Sequence, residues 1–87
     1  MTRLICAVFD SASNTFGQPI FVVARGQAIR SFQDEVQRQA ADNTLNQHPE
    51  DFELYLLGEY DDTTGDLRGL TSPEVLVRGK DCALKAN

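Results

Sequence analysis

The sequence predicts an α+β domain: a four- to five-stranded, mainly antiparallel sheet with one amphipathic helix packed on one face. Residues 27–41, QAIRSFQDEVQRQAA, are the window that is long and periodic enough for an amphipathic helix. Its apolar side is formed by Ile29, Phe32, Val36 and Ala40. The other apolar segments are short and bounded by turn-forming residues, which is typical of β-strands. Gly26 is the expected N-cap of the helix.

The first part of the chain predicts two antiparallel strands joined by a tight turn. Residues 3–9 are apolar on both faces, which suits a central strand buried on two sides. Residues 10–15, DSASNT, are turn formers, and residues 16–24 form the second predicted strand. Because Pro19 has no amide hydrogen to donate, we expect it at a bulge or at an exposed edge.

Three more strands are predicted after the helix, which ends in the polar residues 42–47. Residues 48–51, HPED, predict a tight turn with the proline in its first position, and residues 53–60 predict the third strand. The loop 61–66, DDTTGD, has Gly65 at a left-handed position. The last two strands are predicted at residues 67–70 and 75–78, on either side of Thr71-Ser72-Pro73.

With 87 residues, the chain is expected to form a single domain, 1–87, of which about 79–87 is a flexible C-terminal tail. A single helix covers only one face of the sheet, although several strands are apolar on both faces. Either loops or the C-terminal segment cover the second face, or a homodimer, which is our expectation, buries it. The residues expected on this uncovered side are Ile5, Phe9, Phe21, Val23, Tyr55 and Leu57.

The charge pattern excludes a general attraction to nucleic acid or to anionic lipid, because the net charge is −5. A local basic patch remains open, since six of the eight basic residues are arginines, which bind phosphate bidentately. If they have no binding role, these arginines belong to a solvated polar surface. If they have one, they form a phosphate-binding edge, with an aromatic ring stacking on bases. The residues proposed for this site are Arg30, Arg25, Arg3, Arg78 and Phe21, with Phe16 as a second aromatic ring.

We expect a protein that is not an enzyme and that uses no cofactor and no metal. His48 is the only histidine and has Pro49 beside it, so a turn residue is the better interpretation. The acids of residues 61–66 lack the spacing of a calcium-binding loop. Cys6 is expected to be a buried thiol and Cys82 a thiol of the polar tail, and neither is part of a CxxC pair.

We also expect a protein that stays inside a cell and does not enter a membrane. No apolar run approaches the roughly 20 residues that a membrane-spanning helix needs. The first residues show no clear cleavage pattern of a secretory signal.

Three segments together resemble the small nonstructural protein of gokushovirus-type microviruses, which are single-stranded DNA phages. The segments are residues 5–11 (ICAVFDS), 28–32 (AIRSF) and 48–65, which begins with HPEDF and ends with DDTTG. The resemblance implies a protein made during infection, present in the host cytoplasm and absent from the virion. It further implies DNA binding, or a role in the switch to single-stranded DNA synthesis and packaging. Arg30 is the basic residue within a matched motif, so only this arginine receives a DNA-contact role from the resemblance.

Two functions follow as hypotheses. In the first, the protein is a dimeric single-stranded DNA-binding module. In the second, it is a regulator that binds the replication initiator, a host replication factor or the procapsid without contacting DNA. A continuous positive strip of arginines would favour DNA. Dispersed or acid-paired arginines would remove the nucleic-acid hypothesis, and a bare apolar sheet beside them would favour a protein partner.

Overall fold

The computed structural model describes residues 1–84, which form a five-stranded antiparallel sheet with helical segments on one face, confirming the α+β class. The strands are β1 (Thr2–Asp10), β2 (Thr15–Phe16), β3 (Ile20–Val22), β4 (Phe52–Asp61) and β5 (Asp66–Arg78). The helices are α1 (Arg25–Gln37), α2 (Thr44–Gln47) and α3 (Gly79–Cys82), with a 3-10 turn at Pro49–Asp51. Residues 85–87 of the predicted tail lie outside the described part.

The centre of the sheet is β1, which pairs with β2 and β3 along one side and with β4 along the other, while β5 pairs with β4. The second strand predicted at residues 16–24 is therefore two short strands. Between them the amide of Gly17 donates a hydrogen bond to the carbonyl of Val8 at 2.8 Å. Pro19 lies in this interruption at the edge of the sheet, where its missing amide hydrogen is tolerated, as predicted.

A bulge in β4 changes which side chains share a face. Ile5 lies opposite Gly58 and Cys6 opposite Leu56, so Leu57 is an extra residue in β4. Because side chains alternate along a strand, one extra residue moves every later side chain to the other face. Tyr60 therefore shares a face with Tyr55, whereas strict alternation along residues 53–60 would place the two tyrosines on opposite faces.

The two strands predicted at residues 67–70 and 75–78 are one continuous strand, β5. The predicted interruption is nevertheless present in the pairing with β4. Gly69 lies opposite Gly58 and Glu74 lies opposite Leu56, so residues 70–73 have no partners in β4. Pro73 is within this unpaired segment, which keeps its missing donor out of the ladder.

The core lies between α1 and one face of the sheet, and the C-terminal helix completes it. Its buried residues are Cys6, Val22, Ala28, Phe32, Val36, Phe52, Leu54, Leu56 and Cys82. The prediction that Cys82 belongs to a flexible tail is wrong, since this side chain is only 4% exposed. The backbone of Gly79 approaches the 3-10 turn so closely that a Cβ there would lie 2.2 Å from the carbonyl oxygen of Pro49. Burial raises the pKa of the Cys6 and Cys82 thiols.

Helix α1 begins and ends earlier than the pattern predicts. Its N-cap is Ala24 rather than Gly26, and the side chain of Gln27 accepts a hydrogen bond from the amide of Val23 at 3.0 Å. At the other end, the buried Asn43 amide donates to the carbonyls of Glu35 and Arg38, both at 2.8 Å. These bonds replace the helical partners that a continuation to residue 41 would provide. No helix in residues 1–84 combines the length and apolar character that crossing a membrane requires.

The facing glycines of β4 and β5 give a matched pair of stability variants. A Cβ at Gly58 would lie 2.2 Å from the carbonyl oxygen of Arg68, whereas a Cβ at Gly69 would meet nothing within 4 Å. We predict that Gly58→Ala lowers the free energy of unfolding by about 1–3 kcal/mol or more, because the two backbones must separate. Gly69→Ala is expected to change it by less than about 0.5 kcal/mol. Urea unfolding measures both, and equal effects would contradict the close approach of the strands.

Candidate binding face

The face of the sheet opposite α1, called the open face below, is lined by apolar and aromatic side chains. The register places Ile5 beside Phe21, Ala7 beside Tyr55, and Phe9 beside Phe16. The apolar residues of the helices belong to the core on the other face. Within residues 1–84, no helical segment covers the open face, whose apolar side chains are Ile5, Ala7, Phe9, Phe16, Phe21, Tyr55, Tyr60, Leu67 and Val75.

Three aromatic rings form a cluster at one end of the open face. The centroids of Phe9 and Phe16 are 4.9 Å apart, those of Phe16 and Tyr55 are 5.5 Å apart, and those of Phe9 and Tyr55 are 6.1 Å apart. These separations lie in the range of favourable tilted and edge-to-face contacts. Ala7, opposite Tyr55, is buried, while Phe16 remains 42% exposed. The side of the cluster that faces the sheet is thus packed, and its outer side is accessible to solvent.

Two further rings lie toward the other end of the open face. The centroids of Phe21 and Tyr60 are 5.6 Å apart in an edge-to-face arrangement, and Phe21 is 52% exposed. The prediction that Phe21 lies on the uncovered side is confirmed. The pattern missed Tyr60 because it ignored the bulge before it. A glycine inside an apolar strand, here Gly58, is the signal that indicates such a bulge.

The arginines predicted for a phosphate-binding edge do not lie together. Arg3 is opposite Tyr60 on the open face, and Arg78 is opposite Glu53 on the same face. Since Glu53 is opposite Phe9, the two arginines are separated by six residues of β1, about 20 Å. Arg25 and Arg30 lie on α1, which is on the other side of the sheet. The expected positive strip is therefore wrong, because the helix carries its arginines away from the open face.

Most arginines are also matched by a carboxylate. Arg3 pairs with Asp62 at 3.0 Å, and Arg78 pairs with Glu53 at 2.8 Å. Arg25 pairs with Glu74, and Arg38 and Arg68 each pair with an acid close in sequence. Among the described residues, Arg30 is the arginine without an ion pair, and it is exposed on α1. The two arginines of the open face therefore add little net positive charge to it.

The pKa values of the groups at the two ends follow from these contacts. The N-terminal amine, which donates to Asp62 at 2.8 Å, is the main cause of the lowered pKa of Asp62, and Arg3 adds to it. At the other end, Glu53 raises the pKa of Arg78. Both shifts favour the charged forms of Asp62 and Arg78.

The hairpin loop at residues 61–66 and the 3-10 turn hold two further groups of acidic side chains. Gly65 adopts the predicted left-handed conformation, with φ of 78°, and its amide donates to the carbonyl of Asp61 at 2.8 Å. His48, Glu50 and Asp51 place possible ligand atoms within 4.8 Å of one another around Pro49. His48 and Glu50 are exposed and each is 62% accessible, which is ordinary for a surface turn. We assign no metal ion to His48, Glu50 and Asp51.

The fold and this face define a small α+β protein with one bare, aromatic side of its sheet. A family model described as Phage ORF5 protein matches residues 3–82. The chain therefore belongs to the Phage ORF5 protein family, and its identity as a phage protein is confirmed. No curated protein and no solved structure matches the chain. The microvirus origin and the DNA-binding role implied by the resemblance stay predictions.

Proposed function

We propose that this phage protein is a nonstructural regulator that binds another protein through its open face without contacting DNA. The observation that carries the proposal is an aromatic face on which Phe16 and Phe21 are exposed and whose arginines are already paired with acids. It is the second of the two hypotheses that the sequence allows. The dispersed arginines favour it over the phosphate-binding edge.

The exposed rings supply the binding energy that such a contact needs. Phe16 and Phe21 are 42% and 52% exposed, and both rest on neighbouring rings that limit their motion. Burying apolar surface contributes about 25 cal/mol per Å². Aromatic side chains are enriched in the centres of protein interfaces, where a few anchors dominate the affinity. A rigid aromatic surface therefore suits a protein partner that presents an apolar patch.

The charge of the chain indicates the chemistry of that partner. A net charge of −5 favours association with a basic protein, including a protein that itself holds DNA. The replication initiator, a host replication factor and the procapsid are the partners that fit a phage protein made during infection. In each case the contact would regulate replication or packaging without a catalytic step by this chain.

Single-stranded DNA is the second candidate ligand, and the open face itself favours it. Bases stack on exposed aromatic rings with about 1–3 kcal/mol per base. Arg3 and Arg78 lie on the same face as the rings. Exposed ion pairs contribute only about 0–1 kcal/mol, so a phosphate group is able to displace Asp62 or Glu53. For this ligand, stacking of bases on the rings, rather than contact with a basic edge, supplies most of the binding free energy.

The protein-binding function is tested by capture from infected cells with matched variants. We predict that the wild-type chain retains an identified phage or host replication or packaging protein after nuclease treatment. Phe21→Asp is expected to remove that protein, because the carboxylate would be buried in the contact. Leu84→Asp is the control, since Leu84 is 64% exposed and lies outside the open face. Mass spectrometry of the captured proteins gives the readout.

Two outcomes of the capture would contradict the protein-binding proposal. One is recovery of nucleic acid alone, with no phage or host protein that survives nuclease treatment. The other is retention of the same protein by the wild-type chain and by Phe21→Asp, since the contact would then lie elsewhere. Loss in both Phe21→Asp and Leu84→Asp would likewise count against the open face as the binding surface.

If the ligand is single-stranded DNA, the acids paired with Arg3 and Arg78 should weaken its binding. Asp62→Asn and Glu53→Gln free the two arginines of the open face and should strengthen binding of a single-stranded oligonucleotide, while Arg3→Gln should weaken it. With two phosphate contacts, the logarithm of the affinity should fall with the logarithm of salt with a slope of about −1.4. Fluorescence anisotropy measures both effects. No binding by the wild type or by the acid variants at low salt removes this candidate.

A further inference from the structure

Both edges of the sheet are protected against pairing with another strand. At one edge, Pro19 lies in the interruption between β2 and β3. At the other edge, Pro73 lies within residues 70–73, where β5 leaves its ladder with β4. Prolines and bulges at edge strands prevent edge-to-edge association. The core face is covered by α1, so the open face is the part of the sheet left for contact with another molecule.

The open face is large enough for a stable contact between two copies. The molecule measures 48 × 23 × 20 Å, and β5, with 13 residues, is about 43 Å long. The broad side of the molecule thus offers on the order of 1,000 Å², whereas a standard interface buries about 800 Å² on each partner. The exposed rings Phe16 and Phe21 lie toward opposite ends of this face, so a second copy is able to contact both.

The distribution of charge also permits self-association through this face. Two chains with a net charge of −5 each repel one another unless the contact surface is close to neutral. On the open face, Arg3 neutralises Asp62 at one end and Arg78 neutralises Glu53 at the other. A second copy turned end to end would place the Arg3–Asp62 pair of one copy near the Arg78–Glu53 pair of the other. Because both pairs are close to neutral, the repulsion between two copies at this face is small.

We propose that in the free protein a second copy occupies the open face, sheet against sheet, so that dimerisation hides the surface used for partner binding. The homodimer follows from the face itself, while the competition with a partner rests on the proposed function. The affinity for the partner then depends on the concentration of the protein, because each binding event first requires an exposed monomer.

Sedimentation velocity over about 1–200 µM tests the dimer. We expect a dimer that dissociates on dilution and a dissociation constant about 30-fold or more higher for Phe21→Asp, the loss typical of a central anchor. Phe16→Asp tests the other end of the face and should act in the same direction. Leu84→Asp should leave the dimer unchanged. Far-ultraviolet circular dichroism confirms that each variant is folded, which is expected because these side chains are at the surface.

The outcomes separate this inference from the proposed function. A wild-type monomer at 200 µM, or a dimer unaffected by both Phe16→Asp and Phe21→Asp, would overturn the dimer through the open face. If the wild-type monomer still captured an identified partner that Phe21→Asp lost, the proposed function would stand without the dimer. Two results together would support both the dimer and the proposed function. One is loss of the dimer in Phe21→Asp, and the other is partner binding that decreases as the wild-type dimer forms.

Discussion

The structure depends on helical segments that cover only one face of its sheet. Helix α1 packs Phe32 and Val36 against Cys6, Leu54 and the rest of the core, and the shorter helical segments extend this layer. No helical segment among residues 1–84 lies on the opposite face. The rings there pack only against their neighbours within the sheet, so Phe16 and Phe21 stay in contact with water. Exposed apolar side chains that lie together mark binding surfaces.

Electrostatics decides what this surface is suited to bind. If the arginines formed a bare strip beside the rings, phosphate contacts would dominate and the affinity would fall steeply with salt. Instead the arginines of the open face are each held by a carboxylate, Asp62 or Glu53. A face with paired ions at both ends and rings between them resembles the centre and rim of a protein interface. Stacking of single-stranded DNA remains the competing use of the same rings.

The sequence predicts the helix, turns and strands better than it predicts the strand register and the contacts between distant residues. The period of α1, the turn at Pro49 and the loop at Gly65 follow from local preferences, and all three are present. The face on which Tyr60 lies depends on the bulge at Leu57, which alternation alone does not show. The ion pairs between residues far apart in sequence, such as Arg3 with Asp62, depend on the strand register. The positive edge was therefore wrong, although Phe21 was correctly placed on the uncovered side.

Hydroxyl-radical footprinting of the dilute protein tests most directly whether the open face is bare. The chain provides internal controls, since Phe32 and Phe52 are buried in the core while Phe16 and Phe21 are exposed. The structure predicts strong oxidation of Phe16 and Phe21 under conditions where the monomer prevails, and weak oxidation of Phe32 and Phe52. Equal protection of all four rings in the dilute monomer would show that the chain covers this face itself, and would contradict the account.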